Sequence, residues 1–200
     1  SCGVQFRFEG TVMSGTPVLS TATESLAGCD FARIRGILNG TTNYILAEME
    51  QGRPYLEALS TAQELGYAEA DPTADVEGHD VTAKVVILAN VVMGAELGVD
   101  FVSCEGITGL DGSEVASAPA SGRRWKLIGQ VERIDGRLTA SVAPVALPLD
   151  DPLASVSGVT NAVTLETDLV GPVTIVGAGA GKEATGLSLL SDLLAIHHSG

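Results

Sequence analysis

Residues 64–84 of this 200-residue chain place several carboxylates and one lysine around a turn, directly before an apolar run. The charged side chains of the segment are Glu64, Glu69, Asp71, Asp75, Glu77, Asp80 and Lys84. Because Lys84 follows Asp80 by four residues, the two side chains meet on one face of a helix. A lysine held by a carboxylate can pass a proton to a bound substrate. The spacing therefore favours acid–base chemistry at Lys84, although a plain ion pair or solvated charges would use the same residues.

A second polar stretch, Gly-Ile-Leu-Asn-Gly-Thr-Thr-Asn-Tyr, occupies residues 36–44. A predicted strand at residues 31–38, which carries Ile34 and Ile37, leads into it, and Thr41 or Thr42 can cap the helix that follows. The exposed amides and hydroxyls at this point either serve as a helix cap alone or form a cradle for a small polar substrate.

The glycine-rich stretch Gly-Ala-Gly-Ala-Gly at residues 177–181 follows a predicted strand and precedes a predicted helix. That is the context of a dinucleotide-binding fingerprint, but Lys182 stands where the last glycine is required. Too few residues follow for a complete βαβ unit. Two interpretations stay open: a flexible turn, or a backbone loop that a large ligand approaches closely.

Composition excludes several classes of protein. The formal net charge of −14 and the 4% aromatic content argue against a nucleic-acid-binding surface. Cys2, Cys29 and Cys104 form no paired motif, so we expect free thiols in a reducing cytoplasm and neither a disulfide framework nor a zinc site. The longest apolar run, residues 85–93, is interrupted by Asn90 and too short to cross a bilayer, and no signal peptide is visible.

The elements that must position these residues form an α+β pattern, with helices early and strands late. Predicted strands cover residues 3–11, 31–38, 124–133, 137–145, 161–167 and 172–176. One predicted helix begins at Thr41 or Thr42. Three further helices are predicted at residues 54–65, 75–97 and 184–196. We expect Ala83, Ile87, Val91 and Ala95 to stack along one side of the third helix. Leu187, Leu190 and Leu194 are expected to point inward from the last helix. The predicted architecture is a mixed β-sheet with helices on one face.

The motifs together resemble homoserine dehydrogenase. The main match is a fixed-gap pattern met by Ala62, Gly66, Tyr67, Ala68, Asp71, Pro72, Asp75, Val76, Gly78, Asp80 and Lys84. Residues 36–44 are a second match to the family. A third match consists of residues 8–12 together with Gly15 and Pro17, and the fourth is the segment 177–192. The likeness covers nearly the whole chain and is weakest over residues 101–170. The family also carries an N-terminal nucleotide-binding domain with a glycine-rich fingerprint, which this sequence lacks.

The resemblance implies roles for individual residues. Lys84 is expected to donate and accept the proton at the substrate oxygen, and Gly66 and Gly181 to contact the nicotinamide end of the cofactor. The expected substrate-binding residues are Glu69, Asp80, Asp75 and Thr41. A monovalent cation, Na⁺ or K⁺, is expected on main-chain oxygens of Glu9, Val12, Ser14 and Thr16.

The implied reaction is the NAD- or NADP-dependent interconversion of L-aspartate 4-semialdehyde and L-homoserine. The resemblance divides the chain into a substrate-binding, catalytic and dimerisation domain (residues 1–180) and a C-terminal helix (residues 181–200) that packs on the absent nucleotide-binding domain. It implies a dimer, and a sheet-mediated homodimer is expected because the β-rich half has little helix cover. The composition adds the expectation of a cytoplasmic location with neither nucleic acid nor membrane as a partner. Two alternatives stay open: a non-catalytic dimerisation or ligand-binding module, and a related oxidoreductase that acts on another amino-acid aldehyde.

Overall fold

The computed structural model describes residues 4–198, which form one mixed sheet and the helices around it. The strands are β1 (Phe31–Ile37), β2 (Ser103–Cys104), β3 (Arg123–Ile134), β4 (Arg137–Pro148), β5 (Thr160–Thr167) and β6 (Gly171–Ala178). The α-helices are α1 (Gly10–Met13), α2 (Val18–Ser20), α3 (Gly40–Glu50), α4 (Tyr55–Glu64), α5 (Thr73–Val76), α6 (His79–Val92), α7 (Gly112–Ser117) and α8 (Lys182–His198).

The strand order in the sheet is β2-β4-β3-β1-β5-β6. Neighbouring strands are antiparallel except for the β2–β4 pair, which is parallel. The predicted β3–β4 hairpin is present, with Ile134 opposite Arg137 at its turn. The predicted α+β class and mixed sheet are therefore confirmed.

Helix α6 packs against β3 at a point where β3 has no side chain. A Cβ on Gly129 would lie 2.6 Å from a methyl of Val81 and 2.7 Å from a methyl of Val85, so glycine is required for this approach. The face of α6 that contacts the sheet carries Val81, Val85 and Leu88, all buried. The predicted stripe is wrong only at Ala83, which is exposed, whereas Ile87, Val91 and Ala95 are partly buried and pack against the core. A helix that is apolar on nearly every side does not reveal from its sequence which side meets the sheet.

The predicted helix at residues 75–97 is two helices, because the chain turns at Gly78. This glycine has φ +82°, a left-handed conformation that ends α5 and starts α6 from His79. The turn brings Asp75 on α5 and Asp80 on α6 to the same side, near the end of β1.

The strand predicted at residues 3–11 was also wrong where the structure describes it. Residues 4–8 have no regular secondary structure, and Gly10–Met13 form α1. Alternation of apolar and polar side chains is not enough for a strand, because its backbone also needs hydrogen bonds to a neighbouring strand. Here the N–H of Glu9 donates instead to the carboxylate of Asp192 on α8, at 3.1 Å.

Helix α8 docks on α1 through small polar residues. The hydroxyls of Thr185 and Ser14 are 2.8 Å apart, and Ser188 is 3% exposed beside Gly10. A Cβ on Gly10 would lie 2.5 Å from the Ser188 Oγ, so the two backbones approach closely.

The leucines of α8 point to solvent in this structure. Leu187, Leu190 and Leu194 are 56%, 53% and 47% exposed, so their predicted inward orientation was wrong. The small polar side of the helix fits closely against α1, and this contact turns the leucines outward.

The face of the sheet opposite α6 is covered at one end by a short turn, Pro152–Ser155. Leu153 and Ala154 from this turn pack on Ile37, Ile128 and Ala162 of the sheet. No helix in the described part of the chain is both long enough and apolar enough to cross a membrane.

Candidate active site

A cavity of about 880 Å³ opens between the N-termini of α3 and α6, the loop after α4, and the ends of β5 and β6. It gathers residues that are far apart in the sequence. Seven predicted site residues line it, namely Thr41, Gly66, Glu69, Asp75, Asp80, Lys84 and Gly181. The structure thus brings together all the predicted substrate, proton-transfer and cofactor positions, while the role of each stays a prediction.

Lys84 is held by two acceptors in the cavity wall. Its Nζ donates to Oδ2 of Asp80 at 2.8 Å and to the carbonyl of Leu38, the residue after β1, also at 2.8 Å. The side chain is 15% exposed, so the ammonium is largely screened from bulk water. Two of its three N–H donors are thereby satisfied and the geometry leaves a third for a ligand.

Asn39 links the two aspartates of the site, and sequence reasoning missed it. Its Nδ2 donates to Oδ1 of Asp75 at 2.7 Å and to Oδ2 of Asp80 at 2.9 Å. Its Oδ1 accepts from the N–H of Thr42 at 2.9 Å, so Asn39 is the N-cap of α3. The prediction that Thr41 or Thr42 caps this helix was wrong. Asparagine is a favoured N-cap, and its place directly before Gly40 was the available signal.

Thr41 fixes the loop that follows α4. Its Oγ1 donates to the carbonyl of Tyr67 at 2.6 Å, and the ring of Tyr67 lies edge-on to Tyr44 with 5.2 Å between centroids. The Thr41 hydroxyl proton is therefore used within the protein, and its oxygen keeps lone pairs for a ligand.

The rim of the cavity is acidic. Glu69 is exposed there, and its backbone carbonyl accepts from Nε2 of Gln63 at 3.0 Å. Asp71 accepts hydrogen bonds from the hydroxyl and the N–H of Thr73, and these bonds lower the pKa of Asp71. The rim therefore attracts a positively charged group.

The opposite wall is formed by residues 177–181 and by Asn161 of β5. Thr16 supports this wall, since its Oγ1 donates to the carbonyl of Ala178 at 3.0 Å. Asn161 is 1% exposed, and its Oδ1 has no hydrogen-bond partner among the described residues. Sequence reasoning did not single out Asn161, because an asparagine near the start of a strand carries no distinctive pattern.

The four residues expected to bind a cation lie in the α1–α2 segment, outside the residues that line the cavity. Both carboxylate oxygens of Glu9 accept from backbone N–H groups, of Leu19 and of Ser20, at 2.8 Å. Ser14 has a positive φ of 50°. Within residues 4–198, no cluster of His, Cys, Asp or Glu side chains could hold a metal ion. Cation binding to the carbonyls of Glu9, Val12, Ser14 and Thr16 stays a prediction.

Comparison with known proteins identifies the family. The family model described as homoserine dehydrogenase matches residues 17–194. The chain belongs to the homoserine dehydrogenase family. It is 53% identical over 197 residues to the NAD(+)-dependent homoserine dehydrogenase of Pseudomonas canavaninivorans, covering 98% of this chain and 56% of that protein.

Solved structures of homoserine dehydrogenases share the fold. The enzyme from Thiobacillus denitrificans superposes with a TM-score of 0.92 at 38% identity, covering 94% of this chain and 44% of the other. A hyperthermophilic archaeal homoserine dehydrogenase mutant in complex with NADPH superposes with a TM-score of 0.82 at 31% identity, covering 96% of this chain and 56% of the other. The chain thus spans about half the length of the relatives that it matches.

Proposed function

We propose that this chain is the substrate-binding and proton-transfer part of an NAD(P)-dependent homoserine dehydrogenase, which interconverts L-aspartate 4-semialdehyde and L-homoserine. The observation that carries the proposal is the position of Lys84. Its ammonium lies in a cavity wall between Asp80 and the Leu38 carbonyl, beside an acidic rim. A surface lysine would not need two fixed acceptors.

The cavity offers complementary groups for both ends of an amino-acid substrate. Carboxylates of Glu69, Asp75 and Asp80 favour the substrate ammonium. The N-terminus of α3, at Gly40 and Thr41, favours the substrate carboxylate, because backbone N–H groups point out of it. This arrangement directs the remaining end of the substrate, the aldehyde or alcohol, toward Lys84.

Lys84 then donates or accepts the proton of the reaction. When hydride adds to the aldehyde carbon, the carbonyl oxygen gains negative charge, and the Lys84 ammonium stabilises that charge and donates a proton to give the alcohol. In the reverse direction the neutral amine accepts the hydroxyl proton. Asp80 keeps the Lys84 nitrogen in place in both directions.

The residues of the glycine-rich wall fit a nicotinamide ring. A four-carbon amino acid fills only a small part of a cavity of about 880 Å³. The remaining wall is uncharged and contains a buried amide, Asn161, whose oxygen has no partner among residues 4–198. When bound, the cofactor supplies or takes up the hydride. On this proposal Gly66 and Gly181 contact its nicotinamide end, and the adenosine end requires a part of the relatives that this chain does not match.

The same proposal gives a role to the leucines on α8. Their exposure on a docked helix suits a surface that a nucleotide-binding domain covers in the longer protein. The division into residues 1–180 and 181–200 rests on this role. Binding of Na⁺ or K⁺ at residues 9–16 and a cytoplasmic location also belong to the proposal.

A sheet-mediated homodimer is part of the proposal as well. Beyond the Pro152–Ser155 turn, the face opposite α6 exposes Val145 (38%) and Val176 (55%). We expect two copies to pair through this face. Sedimentation equilibrium tests it, and a monomer at all concentrations would remove this part of the proposal.

The decisive test is turnover. The chain is fused behind the part of the Pseudomonas canavaninivorans relative that it does not match, and homoserine oxidation is followed by the absorbance of the reduced cofactor. Turnover that disappears in Lys84→Ala supports the proposal. Homoserine binding without turnover would instead indicate a ligand-binding module, and turnover of a different amino alcohol in preference to homoserine would change the substrate.

A further inference from the structure

Asn161 is a buried residue whose side-chain oxygen makes no hydrogen bond within the described part of the chain. The residue is 1% exposed, and its Oδ1 is closed off from water without a hydrogen bond to any described residue. Buried amides are normally paired, because an unpaired one costs folding free energy. A ligand that satisfies Asn161 would recover that cost.

Asn161 lies directly under the glycine-rich wall of the cavity. It is opposite Gly177 in the β5–β6 register, and a Cβ on Gly179 would overlap its amide group. Glycine at position 179 is therefore required for the segment to close over Asn161. The wall presents the backbone of residues 177–181 and the methyl groups of Ala178 and Ala180 to the cavity.

The distribution of charge in the cavity indicates what Asn161 can bind. The charged lining residues, Glu69, Asp71, Asp75, Asp80 and Lys84, come from the loop after α4 and from the α5–α6 region. The lining residues from β5 and β6 are uncharged. An ammonium would be held at the acidic rim and a carboxylate at Lys84 or the start of α3, so the Asn161 region suits a neutral polar group.

We infer that the side-chain amide of Asn161 binds the carboxamide group of the nicotinamide ring. A carboxamide has a donor side and an acceptor side, so two carboxamides can pair with each other. Oδ1 of Asn161 has no hydrogen bond to a described residue that would have to break, but Gly179 packs closely on the amide, so this proposal requires residues 177–181 to shift as the ring enters. This inference rests on the proposed function, since it assigns the residue that orients the cofactor ring.

The test observes the Asn161 side chain directly. The ¹⁵N-labelled chain is titrated with nicotinamide mononucleotide, which lacks the adenosine half, and separately with L-homoserine. The side-chain NH₂ resonances of Asn161 are expected to shift saturably with the mononucleotide. Those of Asn90, whose amide is paired with the backbone of Leu97, should not move.

Two substitutions separate binding from folding. Asn161→Ala should weaken mononucleotide binding about tenfold, as expected for one lost hydrogen bond, and should leave the melting temperature unchanged or higher. Asn43→Ala is the matched control. Asn43 is equally buried at 1%, but it donates to the Gly158 carbonyl at 3.0 Å and accepts from Lys126 at 2.8 Å, so its loss should lower the melting temperature.

An analogue tests the direction of the hydrogen bond. In 3-acetylpyridine mononucleotide a methyl replaces the amino group, so it cannot donate to Oδ1 of Asn161. The unmodified chain should bind it several-fold more weakly than nicotinamide mononucleotide, and Asn161→Ala should not discriminate between them.

The titrations and the Asn161→Ala variant can each overturn the inference. If the Asn161 resonances do not respond to the mononucleotide, or respond to homoserine alone, the inference is wrong, whether or not Asn161→Ala folds. Equal affinity of the unmodified chain and a folded Asn161→Ala variant would also overturn it. The proposed function is judged separately, by homoserine binding and by turnover of the fused protein.

Discussion

The Lys84 ammonium and the Asp80 carboxylate are 2.8 Å apart, one turn from each other on α6, and Asn39 donates to the same Asp80 oxygen at 2.9 Å. Asp80 is therefore fixed from two sides. One partner is the proposed proton donor, and the other is the cap of α3, whose first residues line the same cavity. The position of Lys84 thus depends on a residue from each of two helices.

Replacement of Lys84 by alanine should remove turnover and leave the fold intact. Loss of the proton donor is expected to lower kcat by about 10³-fold, within the usual range for a general acid. The measurement is homoserine oxidation by the fused protein, with circular dichroism as the check on folding. His79→Ala on the same helix is the control, because His79 is exposed and does not line the cavity. Retention of activity in Lys84→Ala would remove the assigned role.

Replacement of Asn39 by aspartate should destabilise the chain at neutral pH. The new carboxylate keeps the cap on Thr42 but faces Asp75 and Asp80 without a donor, at a cost of about 2 kcal/mol in the free energy of unfolding. Urea unfolding at pH 7 measures the loss. The exchanged pair Asn39→Asp/Asp75→Asn restores one donor between the two positions and should recover much of the stability; no recovery would contradict the proposed hydrogen-bond arrangement.

Lys126 should give the chain an unusual dependence of stability on alkaline pH. Its Nζ is buried and donates to Oδ1 of Asn43 and to the Val156 carbonyl, and burial, together with the nearby Arg124 charge, lowers its pKa to about 8 while Glu50 raises it. Between pH 8 and the ordinary lysine value the unfolded chain binds more protons than the folded chain. The stability contribution of Lys126 therefore rises with pH in this window, by roughly 3 kcal/mol in total.

The comparison that isolates this effect is with Lys126→Met. Guanidinium unfolding is measured for both proteins at pH 7, 8, 9 and about 10, values chosen to span the expected titration. The difference in free energy of unfolding, unmodified minus variant, should grow with pH. A constant difference would show that Lys126 has the same protonation state in the folded and unfolded chains.

Two substitutions on α8 should differ in how much they change stability. Leu190→Ser changes an exposed side chain and should alter the free energy of unfolding by less than about 0.5 kcal/mol. Ser188→Leu places a large side chain against Gly10 and should cost about 1–3 kcal/mol. Thermal unfolding of both variants checks the orientation of the helix. A large loss in Leu190→Ser would mean that the leucines are buried after all.

Sequence patterns predicted most of the sheet because the residues concerned alternate and are bounded by turns. The β3–β4 hairpin follows from Ile134-Asp135-Gly136, where Asp135 and Gly136 both have positive φ. The segment at residues 3–11 shows the same alternation and forms no strand where it is described, because strand pairing depends on neighbours that one segment cannot specify.

The sequence by itself determined which chemical groups are present and the short-range spacing that pairs Asp80 with Lys84, since four residues make one helical turn. Only the tertiary structure decided that Asn39 joins Asp75 to Asp80, that Oδ1 of Asn161 lies beneath Gly179 without a partner in the described part of the chain, and that the leucines of α8 face outward. These relationships connect residues far apart in the chain. They depend on which faces the sheet and helices present to one another, and helix and strand periodicity alone leaves that choice open.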